Sequence, residues 1–205
     1  MLPEYLIDFL DEYRHLGQKT LSNGATLIGK APHIAAEAWL HHMYAPLSEH
    51  DIELIEQQLN QGIPCSYKKF LSAGNGLNIF NTTLSLYGLR SNYNRNELDV
   101  WQPFDLIIAN TTEKPKGAND LFIIGAYDWD GSKLCIHQDD EQVFVIDNDN
   151  EFVCRWKDFD TMLSSELKRL QLLFDSEGKE CNPLQSTVKQ LKICPPLFTQ
   201  KADVP

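Results

Sequence analysis

Residues 48–77 read SEHDIELIEQQLNQGIPCSYKKFLSAGNGL, and the order of their parts decides the fold. Ser48 with Asp51 is a form of the capping box, which places a helix start at Ser48. Ile52, Ile55 and Leu59 recur at three and four residues and make one apolar stripe, while Glu53, Glu56 and Gln57 fall on other faces. Gly62 is expected to end this helix, and Pro64 opens the next with a preset φ. Tyr67, Phe70 and Leu71 form a second apolar face, with Lys68 and Lys69 pointing outward. Asn75-Gly76 tolerates the left-handed conformation and stops that helix. Leu77, Ile79, Leu84, Leu86 and Leu89 follow in strand-like spacing.

This block resembles the SUKH superfamily, which includes regulators of cell-wall and glucan synthesis and many bacterial toxin-immunity proteins. The resemblance rests on Ile63-Pro64, Tyr67, Phe70-Leu71 and Asn75-Gly76, and continues in Leu84 and Tyr87-Gly88. Ile124-Gly125, the strands after it, and Trp156, Phe159 and Leu163 look like the family's closing sheet and last helix. The likeness covers residues 45–173.

Composition narrows the function classes. The 205 residues suffice for one core, and 42% hydrophobic with 23% charged residues is ordinary for a globular chain. No apolar run approaches a membrane span. The first residues, MLPEYLIDFLDEYRHLG, mix acids with apolar residues and lack a basic start, so they do not read as a signal peptide, and a cytoplasmic protein is expected. The five cysteines, Cys65, Cys135, Cys154, Cys181 and Cys194, show no Cys-x-x-Cys spacing. Reduced thiols are expected, with no zinc site or disulfide framework.

The net charge of −11 argues against nucleic acid as a partner. Residues 121–160 hold ten acids (Asp128, Asp130, Asp139, Asp140, Glu141, Asp147, Asp149, Glu151, Asp158 and Asp160) against Lys133, Arg155 and Lys157, so they supply −7 of that charge. Such a segment repels polyanions and speeds encounter with a basic protein.

Along the chain, Pro3–Leu16 reads as a helix and Ser22-Asn23-Gly24 as a turn. The alanine-rich stretch Ile34–Tyr44 is expected to be helical and to end at Pro46. Ser91–Asn96 and 111–120 read as loops, and Phe104–Asn110 as a short strand. Strands at Leu121–Tyr127, Lys133–His137, Gln142–Ile146 and Phe152–Arg155 alternate with Asp- and Asn-rich turns, which argues for an antiparallel meander. Asp158–Phe174 reads as a helix with Phe159, Met162, Leu163, Leu167, Leu170 and Leu173 on one side. Beyond it the pattern weakens, with one short helix expected over Thr187–Ile193.

Candidate chemistry is sparse. Asp128-Trp129-Asp130-Gly131 and Asp147-Asn148-Asp149-Asn150 could attract a cation, but the twelve-residue calcium loop is absent, and Asp and Asn close turns with their own side chains. His41-His42 on a helix would not face one another and lacks the His-Glu-x-x-His pattern. Cys65 stands beside Pro64 at a helix start without a paired histidine. There is no Gly-x-Ser-x-Gly elbow or phosphate loop. Trp156 is expected under the last helix. Trp129, between two acids at a turn tip, either folds back onto the sheet or serves as a binding anchor.

The reading is a single α+β domain: a mainly antiparallel sheet with helices packed on it, SUKH-like over residues 45–174. A helical extension (1–44) precedes it and an arm (175–205) follows. No catalytic residue, cofactor or metal is assigned. The family resemblance implies an immunity protein for a basic toxin domain, commonly a nuclease. Its binding surface would comprise Trp129, Asp130, Asp139, Asp140, Glu141, Asp147 and Asp149, on a monomer or weak dimer. The alternatives are a regulatory scaffold tied to cell-wall synthesis, and a hydrolase or metal-dependent enzyme with an unrecognised site.

Overall fold

The computed structural model describes residues 1–94, 96, 100–114 and 118–184. Among these described residues nine strands form one sheet in sequence order, every neighbour antiparallel: β1 Gln18–Thr20, β2 Thr26–Lys30, β3 Trp39–Met43, β4 Leu77–Ile79, β5 Leu84–Leu86, β6 Leu121–Tyr127, β7 Lys133–His137, β8 Val143–Ile146 and β9 Phe152–Trp156. The helices are α1 Glu4–Asp11, α2 Glu49–Leu59, α3 Cys65–Leu71, α4 Leu106–Thr112 and α5 Phe159–Gln171, with a 3-10 turn at Arg14–Leu16.

Local rules account for the helix ends. At the start of α2 the Ser48 hydroxyl accepts from the Asp51 N–H (3.2 Å) while the Asp51 carboxylate accepts from the Ser48 N–H (3.0 Å), a complete capping box. The helix ends at Asn60 in the left-handed conformation, two residues before Gly62. Asp158 caps α5 through the Thr161 N–H.

One face of the sheet carries the main core. Leu6 and Leu10 of α1, Ile52 and Ile55 of α2, Tyr67 and Leu71 of α3, and Met162, Leu163, Leu167 and Leu170 of α5 pack on it. Strand residues such as Ile28, Ile79, Leu84, Phe122, Ile136 and Val145 supply its floor. The period-2 alternation sends the residues between them to the outer face. There a smaller cluster joins Ala109, Leu121, Ile123, Cys135 and Ile146.

Two expected elements change type. Ile34–Tyr44 is not helical: residues 39–43 form β3, pairing with β2 (Ile28 with His41) and with β4 (His42 with Asn78). Ladder bonds on both sides outweigh the propensity of a few alanines. The first 44 residues thus hold one α-helix and three strands of the common sheet. Phe104–Asn110 is not a strand: residues 106–112 form α4, capped by Asp105, whose carboxylate accepts from the Ile107 and Ile108 N–H groups. A short apolar run cannot distinguish the two states by period alone. β5 pairs with β6 only over Gly125–Tyr127, and α4 occupies the free flank beyond it. The Asn110 side chain donates to the Ile123 carbonyl (2.8 Å) and accepts from its N–H (2.9 Å), taking the place of a strand neighbour.

After α5 the chain turns back. Asp175 caps a turn through the N–H groups of Glu177 and Lys179. Phe174 stacks on Phe80 at 3.9 Å between ring centres, and its backbone bridges to Glu180. The short helix expected over Thr187–Ile193 lies outside the described residues.

Candidate functional site

A meander puts alternate turns at opposite ends of the sheet, and this divides the seven residues expected to form one acidic surface. The β6–β7 turn, with Trp129 and Asp130, and the β8–β9 turn, with Asp147 and Asp149, share one end, where the Asn148 side chain bonds the Asp130 carbonyl. The β7–β8 turn, with Asp139, Asp140 and Glu141, lies at the other end of β7. Five residues at about 3.3 Å each separate them by roughly 17 Å. Spacing along the chain concealed this, because the charges are contiguous in sequence and opposed in space.

The carboxylates also differ in what they do. Asp130 accepts from the Ser132 N–H (2.9 Å), and Asp147 from the N–H groups of Asp149 (3.1 Å) and Glu151 (3.0 Å), so each holds its own turn. Asp140 accepts from Gln142 and contacts His137, which also contacts Asp120. Among the described residues, the Asp139 and Asp149 carboxylates accept no hydrogen bond from the protein.

Glu141 is withdrawn from any partner. Its two oxygens accept from the N–H groups of Cys65 (2.7 Å) and Ser66 (3.0 Å), at the first turn of α3. Burial opposes its charge, but these hydrogen bonds win and hold the carboxyl below its ordinary range. Glu141 itself takes a left-handed conformation (φ 55°). It is a helix cap supplied from a distant hairpin. Trp129 is 47% exposed, so it does not fold fully back onto the sheet, whereas Trp156 is wholly buried.

The residues that carry the family resemblance meet in a clasp across β5 and β6. The Tyr67 hydroxyl, buried, reaches the carbonyls of Tyr87 and Ile124. Asn75 donates to the Leu89 carbonyl (2.8 Å) and accepts from its N–H (2.6 Å). Gly76 has φ +86°, and a Cβ there would meet the Leu86 carbonyl. Gly125 lies so close to β5 that a Cβ would overlap the Ser85 carbonyl oxygen. This motif holds the fold together, with the Tyr67 and Asn75 side chains bonded to backbone groups of the strands they clasp.

A cleft of about 280 Å³ lies between the α2 N-terminus and the loop before α4, lined by Tyr44, Asp51, Asn75, Trp101 and Gln102 among others. Its polar walls are engaged internally: Gln102 holds Ser91 and Asn92, and Asn23 holds the Trp101 carbonyl. His41 and His42 lie on a strand, so they face opposite sides of the sheet. His41 sits among Phe9, Tyr13 and Phe80, and His42 against Trp101 and Asn78. Burial lowers their pKa values from 6.5, to about 3 and about 4 respectively. Among the described residues, no group of three or more His, Cys, Asp or Glu side chains could hold a metal ion, and no helix is long and apolar enough to cross a membrane.

Sequence reasoning passed over one feature of this region. Phe144 and Phe152 lie on the outer face of β8 and β9, in edge-to-face contact at 5.3 Å. The alternation of Val143-Phe144-Val145 was a sufficient signal, since two valines facing the core send Phe144 the other way.

A helix pair locked onto an antiparallel sheet by Tyr67, Asn75 and Gly125 defines a domain of the SUKH class. The chain belongs to the SMI1 / KNR4 family (SUKH-1), whose model matches residues 46–165, more than half of its length. No curated protein and no solved structure matches it.

Proposed function

We propose that this protein is a non-enzymatic recognition module that captures a basic protein partner, acting in the cytoplasm as an immunity protein that neutralises a cognate toxin, with nuclease toxins as the favoured class. One observation carries the reading: the −7 charge of residues 121–160 is displayed largely on exposed turns, Asp139, Asp140 and Asp149 among them. A nuclease needs a cationic surface for its polyanionic substrate, and an acidic protein that covers this surface inhibits it by occlusion and charge.

The test is a pull-down from the native cells with the whole protein as bait, eluted by a salt gradient. The expected result is one stoichiometric basic protein that leaves at high salt and loses its activity when the complex re-forms. Several partners released at low salt would point to a regulatory scaffold, as in cell-wall synthesis. A tight acidic partner, indifferent to salt, would refute the electrostatic reading.

A further inference from the structure

The two acidic ends are joined by the outer face of β7–β9. Its centre is aromatic: Phe152 is 51% exposed, and Phe144 is half-buried at the border of the outer cluster. Arg155 stands opposite Phe144 and Lys133 opposite Ile146 in register, so both cations belong to this face. At one end lie Asp130, Asp147, Asp149 and Glu151, with Trp129 beside them. At the other lie Asp120, Asp139 and Asp140. An apolar centre bounded by charge is the anatomy of a protein interface.

We propose that this face of β7–β9 is the docking surface for a cationic polypeptide segment that lies along the strands, its apolar middle on Phe144 and Phe152 and its basic residues at the two acidic ends. The proposal rests on the reading of a basic partner and adds where and how it binds. Charge complementarity selects the occupant. Carboxylates outnumber cations at each end, Asp130, Asp147, Asp149 and Glu151 against Lys133 at the start of β7, and Asp120, Asp139 and Asp140 near Arg155, while the middle offers Phe144 and Phe152. A segment with cations separated by roughly 17 Å of apolar chain matches both ends and the middle. Glu141 takes no part, being committed to α3.

The test is a nuclear magnetic resonance titration of the whole protein at low salt. The probe is a synthetic peptide with two lysines at each end of a Leu-Phe-Leu centre. A peptide with serines in place of that centre is the control. Shifts are expected at Phe144, Phe152, Arg155 and the turns at both ends, with the serine peptide binding at least about tenfold more weakly. Phe152→Ser should cost a similar factor, and so should Asp139→Lys at one end and Asp149→Lys with Glu151→Lys at the other. These carboxylates hold no turn, so folding is preserved. Equal binding of the two peptides, or none of either, would overturn the docking face. Shifts confined to another surface would overturn it while leaving the recognition of a basic partner intact. A dimer in the absence of peptide, formed through this same face, would replace the cationic segment with a second copy of the chain.

Discussion

His41 makes a quantitative demand on the fold. It is fully buried in an aromatic cage, and burial, reinforced by His42, lowers its pKa from 6.5 to about 3. The unfolded chain therefore binds a proton that the folded chain refuses. A histidine depressed in this way contributes stability that is complete above pH 6.5 and is lost as pH falls toward the folded value. At about pH 5 the unfolded imidazole is about 1.5 units below its midpoint, which costs about 2 kcal/mol relative to pH 7.5. His42, lowered to about 4, adds a similar amount, so the two together remove about 4 kcal/mol. Carboxylates held low by their partners, such as Asp51 and Glu141, start from 3.8 and 4.5 and act mostly below this window. The assay is urea unfolding at both pH values for the wild type and His41→Phe. Phenylalanine suits a cage of Phe9, Tyr13 and Phe80, although overpacking can cost about 1–3 kcal/mol at both pH values. The readout is the loss between the two pH values, which should shrink by about 2 kcal/mol in the variant. An unchanged loss would refute the claim that His41 is buried and neutral.

Three further outcomes follow from the clasp, from the cap on α3 and from a buried ion pair inside α5, Arg169 with Glu166. Glu141→Ala strips two charge-assisted hydrogen bonds from the start of α3 and should cost about 1–2 kcal/mol in chemical denaturation, whereas Asp139→Ala should cost under about 0.5. Arg169→Ala leaves the Glu166 carboxylate, 0% exposed, with only the Tyr127 hydroxyl (2.6 Å) as a strong partner, and should cost about 3–5 kcal/mol. Gly125→Ala drives a methyl into the Ser85 carbonyl and should prevent stable pairing of β5 with β6, read as loss of cooperative melting, while Gly131→Ala, whose Cβ would have room, should still fold.

Much of the architecture is local and was therefore legible in the chain. The capping box at Ser48, the stripe of Ile52 and Ile55, and the alternation of strands and Asp-Asn turns after Leu121 are short-range signals, and each corresponds to an element of the structure. The charge excess of 121–160 was likewise countable. Three things needed the tertiary structure. Trp39–Met43 became a strand because two neighbouring strands offered hydrogen bonds, and no local propensity reports a distant partner. Glu141 became the cap of α3 because folding brings a hairpin 75 residues away in sequence to the N–H of Ser66. The acids of one short segment were parted to opposite ends of the sheet, with Phe144 and Phe152 between them, because a meander reverses direction at every turn. Sequence alone set the charge and the periodicities; which charges share a surface depends on the path of the chain through space.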